Sequence, residues 1–304
     1  MTVAIEVSGL TKSYGSVHAV RGIDLSVSEG EVFALLGPNG AGKTTTVEIL
    51  EGFRRRDGGE VSVLGFDPGR RERALRSRIG IVLQSTGIDP YLTVAETIEL
   101  YGSYYPDPRP VDEIVEVVGL GEKRDTRVLK LSGGQQRRLD VAIALAGDPD
   151  LLFLDEPTTG FDPSARRNAW QVIKNLAGLG KTVFLTTHYM DEAQHLADRV
   201  AVITGGLIVA EGPPASLVGR DAGATLVRFR LGERVKLPAP LSRIASRADG
   251  LVVIRTKTPT ETLHRLTAWA VGKGIELEEL DVTRPSLEDV YLELTGGQAG
   301  TEDS

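Results

Sequence analysis

Gly37-Pro38-Asn39-Gly40-Ala41-Gly42-Lys43-Thr44-Thr45 matches the pattern G-x-x-x-x-G-K-[ST]. Gly37, Gly40 and Gly42 let the backbone turn tightly, so that successive N–H groups converge on one point. A helix starting near Gly42 adds the positive end of its dipole. Lys43 supplies a mobile charge for outer phosphates, and the Thr44 hydroxyl stands where it can ligate Mg²⁺. Immediately before the loop, Glu31-Val32-Phe33-Ala34-Leu35-Leu36 is an apolar run of strand length. After it, Thr46 to Glu51 carries Val47, Ile49 and Leu50 with no helix breaker. Strand, glycine loop and helix are the context in which this pattern holds a nucleotide.

A chain of 304 residues, 41% apolar and 25% charged, has room for one large domain and a small one. Cysteine is absent, which excludes disulfides, thiol catalysis and cysteine-ligated metals. The net charge of −7 argues against sequence-independent nucleic-acid binding. The opening MTVAIEVSGL has no basic region followed by an apolar core, so no secretory leader is expected there. No apolar run approaches the roughly 18 residues needed to cross a bilayer, so any membrane role is expected to come through a partner.

Strands are expected at Ala4–Val7, Ala19–Val27, Val32–Leu36 and Glu60–Leu64, with a turn at Ser13-Tyr14-Gly15-Ser16. The segment Arg70–Arg78 carries five arginines around Ala74 and Leu75 and reads as a solvated helix face. Ile79–Leu83 is a buried strand ending at Gln84. Thr93 with Glu96 three residues on forms a capping box ahead of Val94, Ile98 and Tyr101. Further helices are expected at Val111–Val118 and Gln135–Ala146, so that residues 92–149 read as an inserted helical subdomain. Strands at Leu151–Leu154, Val183–Thr186, Val200–Ile203 and Leu207–Ala210, with helices at Ala165–Leu176 and Met190–Ala197 between the earlier ones, imply a mainly parallel α/β sheet. Past Gly212-Pro213-Pro214, strands at Thr225–Leu231, Leu251–Thr256 and Glu276–Val282 accompany helices at Glu261–Val271 and Ser286–Leu294. The first of these helices should bury Leu263, Leu266 and Trp269 or Ala270. The expected organisation is a nucleotide-binding domain over 1–218, a small α+β domain over 222–297 and a disordered tail over 298–304.

Chemistry-bearing residues recur at the ends of these elements. Leu131-Ser132-Gly133-Gly134-Gln135 precedes a helix, with Ser132 as N-cap, and makes a second helix start able to hold an anion. Leu151–Leu154 is an apolar strand ending in Asp155 and Glu156, two carboxylates that need a nearby cation. Asp162 follows, His188 closes another apolar strand, and Gln84 closes an earlier one. Outside this set, His18, His195 and His264 read as surface or core residues, Thr158 and Ser164 as capping groups, and Trp170 and Trp269 as core.

LSGGQ ahead of LLFLDEP, beside a phosphate loop, resembles the ATP-binding subunit of ABC transporters over about residues 3 to 215. RRLDVAIALAGDP and the terminal PSLEDVYLELTG look like the daunorubicin-resistance type of exporter subunit, which extends the resemblance over nearly the whole chain. The resemblance implies a P-loop NTPase core with a mainly parallel sheet, an antiparallel β part, an inserted helical subdomain and a small C-terminal α+β domain. It implies ATP and Mg²⁺ as ligands, with Tyr14 stacking on adenine and Gly37, Pro38, Asn39, Gly40, Ala41, Gly42, Lys43, Thr44 and Thr45 around the phosphates. Asp155 would join Thr44 and Gln84 at the metal, Glu156 would polarise the attacking water, and Gln84 and His188 would sense the γ-phosphate.

In that family Ser132, Gly133, Gly134 and Gln135 of one subunit face the phosphate loop of a second. One copy of each motif per chain therefore implies a head-to-tail homodimer sandwiching two ATP molecules, with Asp162 at the contact. The implied partner is a separate membrane-spanning permease of the ABC-2 class, working in export, which would place this chain at the cytoplasmic face of the membrane. The alternatives fit less well. A ribosome-acting ABC ATPase usually carries two cassettes in one chain. A chromosome- or repair-type ATPase separates these motifs by long coiled coils. A non-hydrolysing binding module would not need Glu156, Gln84 and His188 together.

Overall fold

A computed structural model describes residues 2–82, 87–218, 225–232, 235–248 and 250–283. Gln84, the expected helix Ser286–Leu294 and the tail 298–304 lie outside the described residues. The chain divides into two compact units, Met1–Pro214 and Ala215–Ser304.

In the first unit, β1 (Val3–Tyr14) and β2 (Val17–Ser28) form a long antiparallel hairpin. β3 (Val32–Leu36) then leads through the glycine loop into α1 (Lys43–Leu50), and β4 (Gly58–Val63) returns to pair with β1. The order β2-β1-β4 makes a small antiparallel sheet. After the one-turn helix α2 (Arg73–Arg76) comes β5 (Ile79–Val82), followed by α3 (Val94–Gly102), α4 (Val111–Val117) and α5 (Gly133–Leu145). The chain re-enters the sheet with β6 (Leu151–Asp155), then α6 (Pro163–Gly178), β7 (Thr182–Thr187), α7 (Met190–Leu196), β8 (Arg199–Thr204), β9 (Leu207–Gly212) and α8 (Pro214–Val218).

The main sheet has six strands in the order β5-β6-β7-β3-β8-β9, parallel except where β9 pairs antiparallel with β8. Its central strands VFALL, LLFLD and TVFLTT are buried almost throughout, as strands covered on both faces must be. Register places Phe33 and Phe153 each opposite Phe184. The rings of Phe33 and Phe184 stack at 5.5 Å, those of Phe153 and Phe184 lie 5.8 Å apart, and all three are fully buried. Truncating such a ring typically costs about 3–5 kcal/mol. Because β3, β6 and β7 are neighbouring parallel strands, their C-terminal ends share one edge. Leu36 lies opposite Thr187, and Asp155 opposite Thr186. Ligands of open α/β sheets bind at this edge.

The helices between β5 and β6 begin as their caps dictate. Thr93 and Glu96 form the reciprocal capping box at α3, and Ser132 and Gln135 form another at α5. Ile98, Ile114 and Leu139 are buried between these helices and their neighbours. The basic segment departs from expectation. Pro68–Arg70 forms a 3-10 turn and Arg71 sits at φ 54, leaving only Arg73–Arg76 helical. The side chain of Arg71 turns inward to donate to the Gly52 and Phe53 carbonyls, so the stretch is not one uniform solvated face. The first hairpin is also longer than expected. β1 absorbs Ser13 and Tyr14 through several register shifts that let polar residues sit in a strand.

The second unit is a four-stranded antiparallel sheet, order β11-β12-β10-β13, built from β10 (Thr225–Arg230), β11 (Ala245–Ala248), β12 (Leu251–Thr256) and β13 (Glu278–Thr283). Helix α9 (Ala239–Ser242) precedes β11, and α10 (Pro259–Lys273) buries Leu266 and Ala270. Leu263 and Trp269 are only half-buried against the core formed by Val227, Phe229, Leu241, Val252 and Ile254. The edge strand β11, sequence ASRA, carries too few apolar residues to be read as a strand from its pattern.

Candidate functional site

The glycine loop leaves β3 with the Gly37 amide donating to the Thr187 carbonyl at 3.2 Å, which ties the loop to the end of β7. A side chain is excluded at two points. A Cβ on Gly37 would sit 2.3 Å from the Ile203 carbonyl oxygen. One on Gly42 would sit 2.4 Å from that of Ala19, and Gly42 is also at φ 107. Pro38, Asn39, Gly40 and Ala41 form the bend between them, the Ala41 amide donating to the Pro38 carbonyl at 3.2 Å. At the start of α1, Thr44 is exposed and Thr45 half-buried. Lys43 folds back over the loop. Its Nζ donates to the carbonyls of Gly37 at 2.8 Å and Pro38 at 3.2 Å.

The same ammonium group lies 3.2 Å from Glu156 Oε1, and His188 Nδ1 lies 3.3 Å from Glu156 Oε2. The Thr159 hydroxyl donates to Oε2 at 3.1 Å. Burial alone would push the Glu156 carboxyl upward, yet Lys43 and then His188 hold it below its ordinary value. Glu156 is thus a carboxylate with a cation on one oxygen and an imidazole on the other. Its backbone sits at φ 45, in the left-handed region. The strand-end pairing of β6 with β7 stabilises that turn. The Glu156 amide donates to the Thr186 carbonyl at 3.2 Å and to Thr186 Oγ1 at 3.0 Å, and Thr186 Oγ1 in turn donates to Asp155 Oδ1 at 2.5 Å.

Carboxyl groups crowd together behind this edge. Glu51, at the end of α1, is buried and its carboxyl is pushed up to about 8, first by burial and then by Asp155 and Glu48. A cation beside Asp155 would relieve that field. Asp155 and the exposed Thr44 hydroxyl are hard oxygen donors of the kind Mg²⁺ takes. Among the described residues no group of three His, Cys, Asp or Glu side chains could hold a metal unaided. A metal at Thr44 and Asp155 would therefore draw its other donors from water and the nucleotide. Gln84, the third expected ligand, lies outside the described residues.

Tyr14 ends β1 with its ring partly exposed, as a base-stacking surface requires. Arg54 stands 5.2 Å and Lys12 5.6 Å from the ring centre. Arg54 is itself paired with Glu48 of α1, so the ring is tied to the helix that starts at the phosphate loop.

Ser132, Gly133, Gly134 and Gln135 open onto a groove of about 1090 Å³, also lined by Glu156, Phe161 and Asp162. No residue of Gly37–Thr45 lines this groove. One chain therefore presents its two glycine-bearing helix starts separately, with Glu156 reaching both places. Asp162 caps α6, its Oδ1 accepting from the amides of Ser164 at 2.8 Å and Ala165 at 2.9 Å.

Several residues differ from expectation or escaped it. Ser164 and Thr158 are not caps; Asp162 caps α6, and Thr158 is fully buried and donates to Glu192 Oε1 at 2.8 Å. Trp170 is half-buried rather than core, and its Nε1 donates to the same oxygen at 3.2 Å. His18, His195 and His264 are exposed, His195 lying against Trp170. Arg137 of α5 reaches the carbonyls of Asp155 at 3.2 Å and Pro157 at 3.4 Å, linking the second helix start to the carboxylate turn. Two hydroxyls at the end of TVFLTT were the available signal for Thr186. Nothing local marked Arg137 or Glu192.

Comparison with known proteins identifies the family. Residues 20–159 match the ABC transporter family model, and residues 225–286 match the model described as the ABC transporter domain-containing protein-like C-terminal domain. The chain is 38% identical to the daunorubicin/doxorubicin resistance ATP-binding protein DrrA of Streptomyces peucetius, over 98% of this chain and 94% of that protein. It is 40% identical to the Nod factor export ATP-binding protein I of Rhizobium sp. (strain N33), over 97% of each. A solved ATP-binding cassette of an ABC transporter in its ADP conformation superposes with a TM-score of 0.63 at 26% identity, covering 70% of this chain and 92% of that one. A dimeric post-hydrolysis cassette bound to ADP and phosphate gives 0.60 at 27% identity, covering 69% and 98%. The chain belongs to the ABC transporter family and is one of its ATP-binding, ATP-hydrolysing subunits.

Proposed function

We propose that this subunit powers export of a drug or other hydrophobic compound through a separate ABC-2-type permease, acting as a head-to-tail homodimer at the cytoplasmic face of the membrane. The relatives named for daunorubicin resistance and for Nod factor export support export. No described helix is long and apolar enough to cross a membrane, so the pathway belongs to the partner. Residues 1–218 are the ATP-binding domain, with its helical subdomain over about 92–149, and 222–297 the accessory domain.

The observation that carries the catalytic reading is the position of Glu156 between Lys43 and His188. Tyr14 stacks on the adenine, and the amides of Gly37 to Thr45 surround the phosphates. Mg²⁺ would be held by Thr44 and Asp155, with Gln84, and would offset the charge of the outer phosphates. Lys43 transfers from Glu156 to the γ-phosphate. Glu156, released from that pairing, accepts a proton from the attacking water while His188 orients it. Ser132, Gly133, Gly134 and Gln135 of a second copy close the site from the opposite side, and Asp162 lies at the contact. The separation of the two helix starts within one chain supports a shared site, because neither can enclose a nucleotide alone.

Mixing Lys43→Ala with Ser132→Arg chains tests this arrangement. Each variant alone should be inactive. Their heterodimer has one intact composite site and one doubly damaged site, and should recover a share of ATP turnover. Equal inactivity of the mixture, with heterodimers present, would overturn independent composite sites.

A further inference from the structure

Glu192 is fully buried on α7, four residues beyond His188. Its Oε1 accepts two side-chain hydrogen bonds, from Thr158 at 2.8 Å and Trp170 at 3.2 Å, while Oε2 has no hydrogen-bond partner among the described residues. Taking a carboxyl out of water costs stability unless its oxygens are hydrogen-bonded. The donors to Glu192 come from two other functional segments. Thr158 stands two residues past Glu156, and Trp170 lies on α6, the helix capped by Asp162.

The same segments are joined a second time. The Trp170 ring packs on His195 at 4.7 Å. Arg166 of α6 lies 4.3 Å from the centre of the Tyr189 ring and 3.6 Å from Asp191, and Tyr189 packs on His188 at 4.0 Å. These contacts run without a break from α6 to His188, which faces Glu156 at 3.3 Å.

We infer that Glu192 is a positioning residue for ATP hydrolysis, the buried acceptor that locks the Glu156 turn and α6 to the His188 segment. This rests on the reading of Glu156 and His188 given above. Burial pushes the Glu192 carboxyl upward, and Asp191 adds to this, while Thr187, Thr158 and Trp170 act in the opposite direction. The role needs an acceptor rather than a charge, so an amide should replace it.

The test uses the full chain with Trp269→Phe, which leaves Trp170 as the one tryptophan of the two. In that background Glu192→Leu should lower kcat about tenfold, with KM for ATP within about twofold, since two buried donors lose their acceptor. Glu192→Gln should stay within about twofold of the parent on both parameters. ATP should change Trp170 emission in the parent and in Glu192→Gln but not in Glu192→Leu. Thr158→Val, which keeps the side-chain shape, should repeat the kcat loss and add little to Glu192→Leu; it carries the test if the leucine variant fails to fold. An unchanged kcat in Glu192→Leu or Thr158→Val, a glutamine variant as impaired as the leucine one, or parent Trp170 emission indifferent to ATP would each overturn the inference. Glu156→Gln in the same background separates the two levels. Retained turnover there overturns the catalytic reading itself, whereas lost turnover beside normal Glu192→Leu overturns only the lock.

Discussion

Buried Lys43 and half-buried Glu156 form an ion pair, Nζ to Oε1 at 3.2 Å, across the gap between the phosphate loop and the end of β6. The ammonium also donates to two loop carbonyls. Lys43, proposed to bind phosphate, and Glu156, proposed to take a proton, are therefore each other's partner, and on that proposal a γ-phosphate would separate them.

Glu156→Gln should lower ATP turnover by roughly two orders of magnitude, the usual scale for losing a general base. Nucleotide affinity should hold or rise, because the amide competes less well for Lys43. Phosphate release and a fluorescent-nucleotide titration read the two effects separately. Unchanged turnover would assign the base to another residue.

Lys43→Ala should weaken ATP binding by about tenfold or more. It also removes the cation that, against the upward push of burial, holds the Glu156 carboxyl below its ordinary value. A lowered folded-state pKa contributes stability that is present above the unfolded value and lost as pH falls through the folded one. The melting temperature of Lys43→Ala should thus fall furthest below wild type near neutral pH, with the gap closing in acid. A gap constant across that range would show that the pairing does not couple to titration.

Glu51→Gln tests the opposite sign. The Glu51 carboxyl is raised from 4.5 to about 8. Between those values the unfolded chain has released the proton and the folded chain has not, so stability declines as pH rises through that window. The glutamine variant should melt higher than wild type near neutral pH and close to it at the acid end, each kcal/mol appearing as roughly 2–4 °C. Equal melting temperatures at neutral pH would place the Glu51 carboxyl in the ordinary range.

Gly42→Ala should destabilise the first unit by about 1–3 kcal/mol and abolish nucleotide binding, because strain at φ 107 combines with a Cβ 2.4 Å from the Ala19 carbonyl oxygen. Gly40→Ala, at φ 78 with open space around the new Cβ, should cost less. Thermal melts of the pair check the order.

Local features of the chain were legible in advance. The glycine loop and the capping boxes Thr93–Glu96 and Ser132–Gln135 close over three to eight residues, so residue type and spacing specify them directly. The apolar runs at Val32–Leu36, Leu151–Asp155 and Thr182–Thr187 likewise announced buried parallel strands. The helix expected over Arg70–Arg78 shrank to Arg73–Arg76, with Arg71 turned to the Gly52 and Phe53 carbonyls and Arg78 to Asp150, partners that no charge pattern encodes. ASRA at β11 became a strand only because β12 offered it an edge.

The sequence by itself determined where each candidate phosphate-handling group would stand on its own element. Only the tertiary structure decided their partners: Glu156 between Lys43 and His188, Asp155 on Thr186, and Thr158 and Trp170 on Glu192. The physical reason is strand order. Setting β7 between β6 and β3 brings residues more than a hundred positions apart within hydrogen-bond reach at one sheet edge, and that adjacency arises from packing three buried strands together.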